Sequence, residues 1–159
     1  MTIKLTTSAC YMAGLMNRTA ERGKVAISTG KSAIEERFLE IAVKKLKVDP
    51  TKITIAEGSI GMRNVYFYHS RIAKELQEIR EKELFLFKRV NEFSRSYIAG
   101  MFDSSGHLQK GSITINGLSP KDRLMLENLG IRTLDKRIVN PRLLLEMIKG
   151  YTVFKDLGN

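Results

Sequence analysis

The chain is poor in the residues from which most catalytic and covalent devices are built. Of its 159 residues one is cysteine, two are histidine, three are proline and none is tryptophan. A lone cysteine, Cys10, excludes an intrachain disulfide and a cysteine-cluster metal site. His69 and His107 lie far apart in sequence, so metal clusters and nucleophile–histidine–acid sets are poorly supplied. Gly30-Lys31-Ser32 has the ending of a phosphate-binding loop, but the glycine required five positions earlier is Val25, and that reading fails. No apolar run approaches the ~20 residues of a membrane span, and Met1-Thr2-Ile3-Lys4-Leu5-Thr6-Thr7 carries no signal-peptide core, so a cytoplasmic protein without membrane contact is expected. Negative charge is also scarce. Asp and Glu number 17 against 27 Lys and Arg, a net charge of +10, and such a balance favours polyanionic partners, nucleic acid first among them.

What the chain does contain is a repeat. Tyr11-Met12-Ala13-Gly14-Leu15-Met16-Asn17-Arg18-Thr19-Ala20 returns as Tyr97-Ile98-Ala99-Gly100-Met101-Phe102-Asp103-Ser104-Ser105-Gly106, with a serine, Ser8 and Ser94, three residues before each tyrosine. A repeated unit sets the architecture before single residues are interpreted. Each copy reads as a short apolar helix with an Ala-Gly pair at its middle. Glycine inside a helix costs about 1 kcal/mol relative to alanine, and close approach of two helices is the physical reason to keep it. Ala13, Gly14, Ala99 and Gly100 are therefore the expected crossing point of two helices about a pseudo-twofold axis. The whole of 1–159 reads as one compact domain of two pseudo-repeats, 1–91 and a shortened 92–159, expected to be a monomer.

Around the repeat the pattern alternates. Gly23–Thr29 has the period of a half-buried strand, with Val25 and Ile27 inward and Lys24, Ala26 and Ser28 outward. Ser32-Ala33-Ile34-Glu35 reads as a capping box opening an amphipathic helix to Leu46. Lys52–Glu57 and Arg63–His69 read as a hairpin around Gly58-Ser59-Ile60-Gly61. Ser70 is expected to cap a long helix running to about Val90. In the second half Ser94 starts the motif helix, and Lys110–Asn116 is a strand. Ser119-Pro120 opens a helix closed by Gly130. Ile131–Val139 is long enough only for a clipped hairpin, Asn140-Pro141 begins a last helix to about Gly150, and Tyr151–Asn159 is a tail that straps or frays.

The two motifs resemble degenerate copies of the LAGLIDADG motif of homing endonucleases and their maturase and regulator relatives, and the order of elements after each copy agrees. The resemblance implies an α+β fold of two αββαββα-type halves whose antiparallel sheets form a saddle over DNA. It also implies a metal-dependent endonuclease site, with one carboxylate at the eighth position of each motif holding Mg²⁺. Those positions here are Thr19 and Ser105, which carry no charge. The expectation is a nucleic-acid-binding protein, on duplex DNA rather than RNA, that has lost the catalytic carboxylates and needs no cofactor. A divergent endonuclease using Mg²⁺ and the one acid left in either motif, Asp103, is the enzyme alternative. A maturase-like splicing cofactor is the RNA alternative.

Strand side chains that face outward every second residue can enter a major groove, where Arg and Lys read guanine, Asn and Gln read adenine, and Ser or Thr read either. The candidates are Lys24, Ser28, Lys52, Thr54, Asn64, Tyr66, Lys110, Ser112, Thr114, Asn116, Arg132 and Arg137. Tyr66 and Tyr68 are alternatively stacking platforms for unpaired bases.

Overall fold

A computed structural model describes residues 4–18 and 21–155 of the chain. The two repeats form its central helices, α1 (Thr7–Leu15) and α5 (Glu92–Ser105). Their glycines face each other reciprocally. A Cβ on Gly14 would lie 2.2 Å from the Tyr97 carbonyl oxygen, and one on Gly100 would lie 2.1 Å from that of Tyr11. Neither position has room for any side chain, so the helix backbones touch, and Tyr11, Met12, Ala13, Tyr97, Ile98 and Ala99 are buried around the crossing.

Two sheets of antiparallel strands flank this pair among the described residues. The first has the order β1 (Lys24–Thr29), β3 (Arg63–Tyr68), β2 (Thr54–Glu57). Val25, Ile27, Val65 and Phe67 point into the core, and Phe67 meets Phe38 of α2 (Ser32–Glu40) at a centroid distance of 5.9 Å. The second has the order β4 (Gly106–Gln109), β5 (Ser112–Ile115), β7 (Arg137–Ile138), β6 (Thr133–Leu134). Ile113, Ile115 and Ile138 are its buried face. The helices α3 (Ser70–Glu81), α4 (Glu83–Leu86), α6 (Pro120–Asn128) and α7 (Pro141–Ile148) complete the fold. The clipped hairpin after Gly130 is as short as the sequence implies.

Several local expectations are corrected. Ser94 does not begin α5: Asn91 is the cap, accepting from the amides of Phe93 and Ser94, and Ser94 is the return partner three residues in. Lys31 precedes α2 without a side-chain cap, and Glu35 pairs with Arg63 at 3.2 Å instead of closing a box with Ser32. His69 Nδ1, not Ser70, caps α3 by accepting from the Ile72 amide. The long helix to Val90 breaks at Lys82, because the chain must turn to bury Glu83 and stack Phe87 on Tyr97 at 4.5 Å. Ser119 opens α6 as the sequence implies, and with Asp122 it forms a reciprocal capping box like that of Asn91 and Ser94 at α5.

Two strand boundaries also move. Lys52 ends a single 3-10 turn, Pro50–Lys52, before β2. Lys110 and Gly111, at φ 52 and 77, form a turn rather than the start of a strand. That turn pairs Ser112–Ile115 with β4, a strand the weak alternation of Gly106–Gln109 conceals.

Candidate nucleic-acid interface

Strand register decides which candidates share a face. In the first sheet Lys24 opposes Tyr68, Ala26 opposes Tyr66 and Ser28 opposes Asn64, while Thr54 and Ala56 of β2 oppose Tyr66 and Asn64. Because side chains alternate along a strand, these residues form one face turned away from the core. Ser28 Oγ donates to Asn64 Oδ1 at 2.6 Å. Lys24 is less free than its type suggests: it pairs with Glu21 at 3.2 Å and lies 4.5 Å from the centroid of the Tyr66 ring. Tyr68 donates to Glu21 at 2.6 Å, and this draws the Glu21 carboxyl below, and the Tyr68 phenol above, its ordinary range. Tyr66 and Tyr68 meet edge to face at 6.0 Å, an arrangement that holds both rings upright on the sheet.

The second sheet is sparser. Thr114 opposes His107 on one side and Arg137 on the other, and Ser112 opposes Gln109. His107 and Gln109 are outward residues that the sequence reading missed, since β4 itself was not legible. Asn116 follows β5, exposed, its amide donating to the Ser105 carbonyl at 2.9 Å. Lys52 and Lys110 are exposed but in turns, and Arg132 stands just before β6. The structure thus gathers Lys24, Ser28, Thr54, Asn64 and Tyr66 on one sheet and Ser112, Thr114 and Arg137 on the other, with the remaining four at their margins.

Between the ends of the motif helices lies a cavity of about 220 Å³ lined by Asn17, Arg18, Arg80, Ser104, Ser105, Asn116 and Asp122, among others. Arg80 donates to the carbonyls of Ala13 and Met16 at 3.0 and 2.8 Å. It thereby satisfies the orphan acceptors at the α1 C-terminus and complements that helix's dipole. Arg18 pairs with Asp122. Ser105 Oγ donates to Ser104 Oγ at 3.2 Å, and Thr19 lies outside the described residues.

Beside this cavity Glu83, 1% exposed, accepts from Tyr97 and is hydrogen-bonded to Asp122. Burial pushes its carboxyl up to about 7, with the Asp122 hydrogen bond adding to the shift. Glu83 Oε1 finds no donor among the described residues. A carboxyl that keeps its proton supplies the donor itself, and Asp122 is its acceptor.

Asp103 points elsewhere. It is 5% exposed and accepts from the Tyr11 hydroxyl at 2.5 Å, from Thr152 Oγ1, and from the Val153 amide at 2.9 Å. Burial raises its carboxyl above the ordinary range despite those donors. It fastens residues 151–155 to α5, with Phe154 against Phe102 and under Lys31. Cys10 is fully buried, and burial pushes its thiol up to about 12.

A divalent metal of the kind the LAGLIDADG resemblance implies does not fit these residues. Hard cations of this class are held mainly by carboxylate oxygens. The described groups around the cavity are hydroxyls, amides and guanidinium groups, and its one carboxylate, Asp122, is taken up by Arg18 and the Ser119 cap. Among the described residues no group of three or more His, Cys, Asp or Glu is placed to hold a metal. No helix among them is long and apolar enough to cross a membrane.

No protein-family model matches the sequence, and no curated protein sequence matches it. Solved structures match its shape. A mesophilic variant of the homing endonuclease I-DmoI superposes with a TM-score of 0.66 at 17% identity, over 89% of this chain and 94% of that one. I-DmoI in complex with DNA and Mn gives 0.63 at 16%, over 89% and 96%. The N-terminal LAGLIDADG domain of WhiA gives 0.61 at 16%, over 97% and 86%. The chain has a LAGLIDADG-like fold of the α+β class.

Proposed function

We propose that this LAGLIDADG-like fold serves to bind duplex DNA through the outward faces of its two sheets, without cleaving it. The observation that carries the reading is the register of the first sheet, which sets Lys24, Ser28, Asn64, Tyr66 and Thr54 side by side on one solvent face. Those are side-chain types that read base edges. The net charge of +10 complements a phosphate backbone and supplies the sequence-independent part of the affinity. Fold likeness to an endonuclease solved with DNA is consistent with this use. The absence of cleavage rests on the hydroxyls at Thr19 and Ser105 and on the donor set of the central cavity, which suits phosphate or water better than Mg²⁺.

The duplex preference rests on the groove-reading residue types of the sheet faces; Lys24 lies over one face of each of the Tyr66 and Tyr68 rings, which meet edge to face. The test is a comparison of duplex DNA, single-stranded DNA and structured RNA by fluorescence anisotropy across a salt series, together with cleavage assays in Mg²⁺ and Mn²⁺. Tighter, salt-dependent binding to duplex with no nicking is expected. Specific nicking that depends on Mg²⁺ or Mn²⁺ and is lost in an Asp103→Asn protein that keeps its fold would establish the endonuclease alternative, and preferential binding to RNA would establish the splicing-cofactor alternative.

A further inference from the structure

A sheet face reads sequence only where a side chain is held in one direction with donors and acceptors still unspent. Most charged or polar groups on the first sheet fail that condition. Lys24 and the Tyr68 hydroxyl are committed to Glu21, and Arg63 to Glu35. Asn64 meets it. Asn17 Nδ2 donates to Ser28 Oγ at 3.4 Å, and Ser28 Oγ passes a hydrogen bond to Asn64 Oδ1 at 2.6 Å. The carboxamide also packs over Gly58, where a Cβ would stand 3.2 Å from both Nδ2 and Oδ1, so no larger residue fits beneath it without moving it. Among the described residues no hydrogen bond is drawn from Asn64 Nδ2, and Oδ1 keeps its second lone pair.

An amide so fixed presents one donor and one acceptor side by side, the complement of adenine N7 and N6 in the major groove. Its other neighbour sharpens the match. Ala56 opposes Asn64 across β2, and directly opposed Cβ atoms in a sheet lie about 4.5–5.5 Å apart. A small apolar side chain at that offset suits the C5-methyl of thymine, the other half of the same base pair. The next outward row, Ala26, Tyr66 and Thr54, is two residues along the strands. That is about 6.8 Å at ~3.4 Å per residue, or two base steps, so it meets a different pair.

We propose that Asn64, oriented by Ser28 and Asn17, is the specificity-determining residue of the first sheet and reads the adenine of an A·T pair, with Ala56 against its thymine methyl. This rests on the duplex-DNA reading above, and the positive charge of the chain supplies the approach to the groove. The experiment is selection from a randomised duplex library with the wild type, Asn64→Ala, Asn64→Asp and Ser28→Ala. Anisotropy on the selected duplex, and on the same duplex with the key pair changed, then gives the discrimination.

The wild type is expected to select one position as A·T, with about ten- to hundredfold discrimination, the scale of a bidentate contact. Asn64→Ala should lose the preference at that position alone, Asn64→Asp should move it toward cytosine, whose N4 donates to a carboxylate, and Ser28→Ala should weaken it. Circular dichroism will show whether these solvent-face variants keep the fold. A wild type that binds duplex with no sequence preference overturns the inference and leaves the functional reading standing. So does an Asn64→Ala protein with every preference intact. A wild type that binds no duplex defeats the functional reading itself.

Discussion

Glu83 is a carboxyl in the wrong place for an acid that ionises at its ordinary pH. Tyr97 on α5, Arg80 on α3, and Lys121 and Asp122 on α6 surround it, and burial dominates, raising it to about 7. The folded value lies above the unfolded one, near 4.3. Between those limits the folded state keeps a proton the unfolded state has lost, so stability falls as pH rises through that window and levels off above it. Denaturant midpoints measured from pH 5 to 8 should therefore decline for the wild type. They should be flatter for Glu83→Gln, which keeps the donor without the titration. Asp103 acts in the same direction, from its own raised value. Asp122, held low mainly by its hydrogen bonds to Glu83 and to the Ser119 amide, bears on a lower pH range.

Asp103 separates two roles that one residue type can fill. Three donors converge on its carboxylate. Truncation leaves the buried Tyr11 and Thr152 hydroxyls and the half-buried Val153 amide without their partner, at about 1–3 kcal/mol for an unsatisfied buried group. Asp103→Ala should accordingly lower the unfolding free energy by about 3 kcal/mol or more in urea titration. Thr152→Val, which removes one of these donors together with the acceptor of the Phe154 amide, should cost less, about 1–2 kcal/mol. A stability loss confined to Asp103→Ala would detach the strap from the account.

The element on which the molecule turns is the crossing of α1 and α5. Backbone lies where a Cβ would go, at 2.2 and 2.1 Å, with no flexible side chain to yield. Overpacked cores lose about 1–3 kcal/mol when side chains can adjust. Gly14→Ala and Gly100→Ala should exceed that range, since the helices themselves must part. Thermal denaturation of each single variant checks it, and reciprocity predicts similar losses at the two sites. The same element explains why Ala13 and Ala99 are fully buried beside the glycines: small residues let the surrounding Tyr11, Met12, Tyr97 and Ile98 close over the joint.

At the scale of the whole molecule the proposal concerns a charged surface with two unequal sheets. A protein that neutralises Z phosphates shows a slope of about −0.9Z in log affinity against log salt. The first sheet and its margins offer more outward polar residues than the second, whose β6 and β7 are two residues each. Arg137→Ala should flatten the salt slope by about one unit by losing a phosphate contact, whereas Thr54→Ala should leave the slope unchanged. The lost-acid reading has its own check. Thr19→Asp combined with Ser105→Asp should confer Mg²⁺ or Mn²⁺ binding visible by isothermal titration calorimetry. No gain of metal binding would count against the motif alignment.

The sequence by itself determined the joint and the sign of the charge. A motif repeated with tyrosine, alanine and glycine in step requires two equivalent helices in contact, and an excess of ten positive charges requires a polyanion or a solvent to match it. Alternation revealed β1 and β3, because period two survives where one face is buried; β2 alternates as well, although its Ile55 stays exposed at the sheet edge. Tertiary structure alone decided the rest. β4 exists because Lys110 and Gly111 take left-handed backbone and fold Gly106–Gln109 back onto β5, a cross-strand fact with little local signal. His69 and Asn91 cap helices that Ser70 and Ser94 were expected to begin, since a cap is chosen by where the chain enters the helix as well as by residue type. Asp103 and Glu83 are both acids near the motif helices, and nothing in their neighbourhoods in sequence assigns one to a C-terminal strap and the other to a shared proton. Hydrogen-bond partners 49 and 92 residues away settle the first, and burial against α5 and α6 settles the second.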